Sequence, residues 1–391
     1  MTQHTPGYCS PCVNNRYGIT RRYTFLAAFL CLLLAGKIPA QDNPAFNVNF
    51  SMDYSAADQC LQLFDDNYVN TRSLAGLRGN LIAAATTGMI ANRGEVSDLL
   101  KSYLDSLRYH QLIRDDVYNL EEARRNAAEI KELLSYLKKS NFSGRVLATV
   151  EQLFPSDVPI HVTIPVYAVA LGHENVDAFV RRIIWKGDTP VFVGEGQGEA
   201  TIVINLAQSV RFHKNVDERL LSLMSTVAHE TFHAAFAAYK DRSSVWKRYY
   251  ASHRSPLDNL LDLTQNEGIA YLLSLQEAGH GSVPSDWYAR THDVFSVFNN
   301  NAKELLSEHL TNQRAAELLR AANLSGFWES YGAMTGMFIA REIDRRLGRN
   351  ALTETVSRGP QDFFQKYQYL SNQDGSLPRL DDAIIAEIGE K

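Results

Sequence analysis

The sequence predicts an α+β fold: mostly helical, with a small mixed or antiparallel sheet placed ahead of one long helix. Three observations point there. Apolar residues recur at helical spacing both early and late in the chain. Between them, residues 159–208 are rich in β-branched side chains and punctuated by Gly, Pro and Asp, the signature of short strands and turns. No internal repeat or low-complexity tract interrupts this order. With 391 residues, 45% of them hydrophobic and 21% charged, the chain can bury a large core.

Residues 1–40 differ in kind from the rest. They contain no Asp or Glu; Arg16, Arg21 and Arg22 precede the apolar run Phe25–Ala35, and small residues lead to Ala40. A basic stretch, a short apolar stretch and a small residue describe a secretory signal peptide cleaved near Ala40–Gln41. An uncleaved anchor is the alternative, but the run is well short of the ~20 residues that span a bilayer. Cleavage removes four basic residues, leaving 35 against 44 acidic, a net charge of −9 where the whole chain has −5. It also removes Cys9, Cys12 and Cys31, so the mature chain keeps Cys60 alone and forms no internal disulfide. The expected location is secreted or periplasmic, with no membrane span after cleavage. Neither the charge nor any basic stripe with interleaved aromatics supports a nucleic-acid partner.

Residues 41–155 form a helical N-terminal portion. It opens with an alternating segment at 45–53, which reads as a strand. Ser55 and Asp58 then stand at capping-box spacing, and Leu61, Phe64 and Tyr68 follow at helical spacing. Further helical patterns cover 95–110, 117–139 and 144–153, with alternating charge over 121–139 reading as a solvated face. Residues 156–391 form the second portion. Strands are expected at 159–172, 178–187, 189–196 and 199–208, the Gly-rich "VGEGQGEA" serving as a hairpin turn. Helices are expected at 216–240, 257–278, 284–308, 312–323, 326–347 and 360–370.

The helix at 216–240 carries the chemistry. His229, Glu230 and His233 spell H-E-x-x-H in a stretch otherwise built from Leu220, Leu223, Met224, Val227, Phe236 and several alanines. Asp217 and Glu218 suit its N-terminal dipole, and no Pro or Gly interrupts 215–240. Residues four apart share a helix face, so His229 and His233 can offer one nitrogen each to a single zinc ion. Glu230 is rotated about 100° from His229. It faces the position where a water would sit and can take a proton from it. The competing reading is an ordinary helix with two solvated or packed histidines.

A catalytic zinc needs a third protein ligand. In "LTQNEGIAYLLSL", Glu267 lies on a helical pattern supported by Leu263, Ala270, Leu273 and Leu275. Asp258 and Asp262 are alternatives. Read together, H-E-x-x-H and "NEGIA" resemble the metal-binding segments of gluzincin metallopeptidases, and of smaller bacterial families of zinc-dependent peptidases. The resemblance covers two short motifs and their order. It implies a zincin-like catalytic portion, a Zn2+ cofactor held by His229, His233 and Glu267, Glu230 as the catalytic base, and a peptide or protein substrate. The chain departs from it in two ways. Glu267 follows His233 by 34 positions, with an extra loop or short helix between, and the aminopeptidase G-x-M-E-N element is absent.

Other residues are weaker candidates. Tyr331, beside Gly332 and Gly336, is a candidate oxyanion donor or else a packed tyrosine; Tyr271 and His280 are further candidates for that job. The two glycines, one turn apart, permit close approach of a neighbouring helix. Asn266 either orients a ligand or sits on the surface. The strand "ATIVINLAQ", just ahead of the metal helix, is either an exposed edge that pairs with a peptide or a plain core strand.

Overall fold

The computed structural model describes residues 45–90, 97–171, 177–193, 197–279, 283, 285–324 and 327–390. The leader with Cys9, Cys12 and Cys31, His280 and part of the Gly-rich hairpin turn lie outside them. The N-terminal elements are β1 (Phe46–Asp53), α1 (Ser55–Phe64), α2 (Thr71–Ala75), α3 (Arg78–Ile90), α4 (Ser97–Arg108), α5 (Leu120–Arg125), α6 (Ala127–Lys139) and α7 (Phe142–Glu151). The helical pattern expected over 117–139 is split in two. Asn126 leaves the helical region at φ −99° and ψ 19°, which an asparagine tolerates better than most residues. Helices α2 and α3 lie within 71–90.

The middle holds β2 (Ile160–Val169), β3 (Ala178–Lys186), β4 (Thr189–Phe192) and β5 (Glu199–Asn205). The sheet is mixed, in the order β1-β2-β5-β3-β4, with β1, β2 and β5 parallel and β3 antiparallel to both β5 and β4. Strand β5 therefore lies at the centre, and its last five residues are buried. Of the two readings of "ATIVINLAQ", the core strand holds, and the sheet's edges among the described residues are β1 and β4. The strand also stops earlier than expected. The Asn205 side chain accepts from the Gln208 N–H and turns the chain into α8 (Leu206–Phe212).

Helices make up the rest: α9 (Val216–Arg242), α10 (Ser244–Ser252), α11 (Pro256–Gly279), α12 (Trp287–Leu305), α13 (Asn312–Leu324), α14 (Tyr331–Leu347), α15 (Arg349–Arg358), α16 (Pro360–Gln373) and α17 (Asp382–Glu390). Helix α9 lies between the sheet and α11, touching β2, β3 and β5. Its Phe232 and Phe236 pack on Phe154, which also meets Phe46 of β1. This aromatic cluster ties the N-terminal strand to α9. Helix α14 lies against α11 and is itself surrounded by α12, α13 and α16. Cys60 is buried and unpaired, and burial, against a hydrogen bond with Asn80, pushes its thiol up to about 12. Among the described residues no helix is long and apolar enough to cross a membrane.

Candidate metal centre

The site is built on two helices whose starts are fixed by their own sequences. Asn215 caps α9 by accepting from the Glu218 N–H at 2.9 Å. Ser255 and Asp258 bracket the start of α11 reciprocally, Ser255 N–H to Asp258 Oδ2 at 2.9 Å and Asp258 N–H to Ser255 Oγ at 3.1 Å. Further along, Lys240 of α9 meets Asp262 of α11, and Tyr250 donates to the other oxygen of Asp262 at 2.7 Å. Both alternative acids thus have structural employment, Asp258 in the cap and Asp262 in the ion pair.

The two helices bring His229, His233 and Glu267 together. The two Nε2 atoms lie 3.0 Å apart, and Oε2 of Glu267 lies 3.6 Å from His229 Nε2 and 3.4 Å from His233 Nε2. Four-coordinate zinc with bonds of about 2.0–2.1 Å spaces neighbouring ligand atoms by about 3.3 Å. The triangle matches that spacing, and two neutral imidazoles with one carboxylate are a zinc donor set. The far nitrogens are turned to other partners. Asn266 Oδ1 lies 3.0 Å from His233 Nδ1, and Ser274 Oγ lies 3.5 Å from His229 Nδ1. An acceptor at Nδ1 places the imidazole proton there and leaves the Nε2 lone pair for a metal. Asn266 is therefore an orienting residue, the first of the two readings its position allowed.

The electrostatics of these side chains follow from their crowding. Burial alone would lower His233, but the charge and hydrogen bond of Glu267, with Glu230 and Asn266, raise it to about 9. Burial likewise works to raise Glu267, and the two histidines overturn it, holding its carboxyl well below the ordinary range. His233 and Glu267 thus form a buried, charge-complementary pair.

The Glu230 side chain is 7% exposed, makes no side-chain hydrogen bond or salt bridge among the described residues, and its charge acts on His233. A nearly buried carboxylate close enough to act on His233, with no side-chain hydrogen bond among the described residues, is a group available to a water. Tyr271, one turn beyond Glu267, packs edge-on to His229 with ring centroids 4.7 Å apart. Tyr331 goes elsewhere, which corrects the expectation that it assists at the metal. Its hydroxyl donates to the carbonyl of Leu318 at 2.9 Å and its ring meets Phe298, so its one proton is used in packing α14 on α13.

One contact was not foreseen. Asn323, near the end of α13, donates from Nδ2 to Oε1 of Glu267 at 2.7 Å. No local pattern marks it, because it reaches Glu267 across a helix interface.

The sequence model of one family, described as "Putative zinc dependent peptidase (DUF5700)", matches residues 81–376. The chain belongs to that family. The match takes in His229, Glu230, His233, Glu267 and Asn323 of this DUF5700 chain. No curated protein and no solved structure matches it.

Proposed function

We propose that this DUF5700 chain is a zinc-dependent peptidase, with His229, His233 and Glu267 holding the metal and Glu230 as the catalytic base. The observation that supports this is the ligand triangle of 3.0, 3.4 and 3.6 Å with the nearly buried Glu230 carboxylate, free of side-chain hydrogen bonds among the described residues, acting on His233. A purely structural zinc site closes all four positions with protein and has no use for such a carboxylate. Zinc, when bound, supplies Lewis acidity: it makes a water acidic enough to deprotonate near neutral pH and polarises a carbonyl. Glu230 accepts the proton as the water oxygen bonds to the scissile carbon, then returns it to the amine as the C–N bond breaks. Because residues 1–40 read as a secretory leader, the proposed place of action is outside the cytoplasm, on peptide or protein substrates.

The test combines metal analysis with hydrolysis of a peptide library by the mature chain. The proposal expects about one zinc per chain, lost in His233→Ala. Glu230→Gln should keep the zinc and lose at least about a hundredfold in hydrolysis. A zinc-free wild type, or a Glu230→Gln variant as active as wild type, sinks it. Full zinc with no peptide cleaved would redirect the reading to a hydrolase of another bond or a metal-stabilised scaffold.

A further inference from the structure

A carboxylate can meet a metal through one oxygen or two, and the choice decides how many positions remain for water and substrate. In Glu267 the two oxygens have different company. Oε2 faces both imidazoles, whereas Oε1 accepts from Nδ2 of Asn323 at 2.7 Å. A carboxylate can only accept, so the amide must present its NH2 side. Resting on the zinc reading above, we propose that Asn323 is a positioning residue that holds Oε1 of Glu267 out of the coordination sphere, keeping the ligand monodentate and a coordination position open.

The structure supports Asn323 from three consecutive residues at the start of α14. Ser330, fully buried, donates from Oγ to the Asn323 carbonyl at 2.7 Å. Tyr331 donates to Leu318 on the same helix at 2.9 Å. Gly332 lies so close to α13 that a Cβ there would come within 2.9 Å of the Ala322 Cβ. These contacts fix the last turns of α13, and with them the direction of the Asn323 amide. The motif-bearing helices α9 and α11 supply the ligands; α13 decides how one of them is presented.

The test uses the full mature chain with Asn323→Leu, of similar size without the donor, and Asn323→Asp, which sets an acceptor against Glu267. Zinc affinity is read by competition with a chelator, and coordination number by the visible spectrum of the cobalt(II) form. Both variants should bind zinc about 10–100-fold more weakly. Cobalt bound to Asn323→Leu should show a weaker visible band as Oε1 turns in and adds a ligand. Wild-type affinity and an unchanged cobalt spectrum in Asn323→Leu overturn the proposal. If the leucine variant fails to fold, wild-type affinity in Asn323→Asp overturns it instead. A wild type that binds no zinc overturns the zinc reading as well, whereas a zinc-binding wild type with indifferent variants overturns this inference alone.

Discussion

Gly268 and Gly336 face each other backbone to backbone where α11 meets α14. A Cβ on Gly268 would run into the Gly336 backbone, and one on Gly336 would strike the Thr264 carbonyl and come within 2.9 Å of the Gly268 Cα. Gly268 directly follows Glu267, so the proposed metal ligand sits on the turn where the two helices are pressed together. The glycine of "NEGIA" and the second glycine of "YGAMTG" are two halves of one contact. Close approach here also lets α14 bring Ser330 and Gly332 against α13.

Gly336→Ala should therefore act on stability and on the metal site together. The added methyl has only rigid backbone to displace, so the cost should be at least the ~1–3 kcal/mol typical of core overpacking. Urea unfolding of the metal-free protein measures that cost, and chelator competition should show weaker zinc binding. Gly375→Ala is the control: a Cβ there meets nothing within 4 Å, and its effect should stay within about 0.5 kcal/mol.

Tyr331→Phe distinguishes a packing tyrosine from a catalytic one. It deletes the hydroxyl that donates to Leu318 and leaves the ring on Phe298. The expected loss is about 0.5–1.5 kcal/mol of stability, with kcat changed less than tenfold. Removing an oxyanion donor would cost about 10²–10³ in kcat. A loss of that size would restore Tyr331 to the reaction.

Lys240 and Asp262 clamp the far end of the α9–α11 pair. The lysine is nearly buried, with its Nζ 4.3 Å from the Phe236 ring centre and 4.4 Å from that of Trp246. Asp262→Asn leaves this ammonium without its counter-charge, and removing one partner of a buried pair costs about 3–5 kcal/mol. The two aromatic faces should hold the loss near the lower figure. Lys240→Met combined with Asp262→Asn should recover most of it, since no buried charge is then left alone. Unfolding of both singles and the double gives the coupling; additive losses would show that the pair contributes nothing.

What the sequence could tell followed from how local each signal is. H-E-x-x-H lies within two helical turns, so helix geometry alone places both imidazoles on one face. Glu267 was within reach because "NEGIA" sits on its own apolar periodicity. Asn323 was not, because it meets Glu267 from 56 positions away across a helix interface, and nothing in α13 distinguishes it from a surface amide. The Tyr331 expectation used adjacency to Gly332, but chain position does not fix where a side chain points, and here it points to Leu318. Strand β5 shows the same limit in the sheet. A run such as "ATIVIN" reads alike at an edge and at the centre, and only its pairing with β2 on one side and β3 on the other decides.

The pH dependence of zinc binding should rise, and stability of the metal-free protein should fall, over one range. In the metal-free chain His233 is raised to about 9 from an ordinary value of 6.5, so it is protonated across the neutral range. Zinc must displace that proton, and affinity should grow about tenfold per pH unit up to about pH 9. The sign for folding is opposite. A raised histidine contributes stability that is fully present below 6.5 and lost as pH climbs through about 9. Glu267, held low, keeps its contribution above its ordinary value of 4.5 and loses it only in acid. From pH 6.5 to 9 this pair should therefore make the metal-free chain less stable while zinc stabilises it more. Unfolding midpoints with and without saturating zinc should diverge steadily over that range. Midpoints that stay parallel would show that His233 carries no extra proton in the metal-free site.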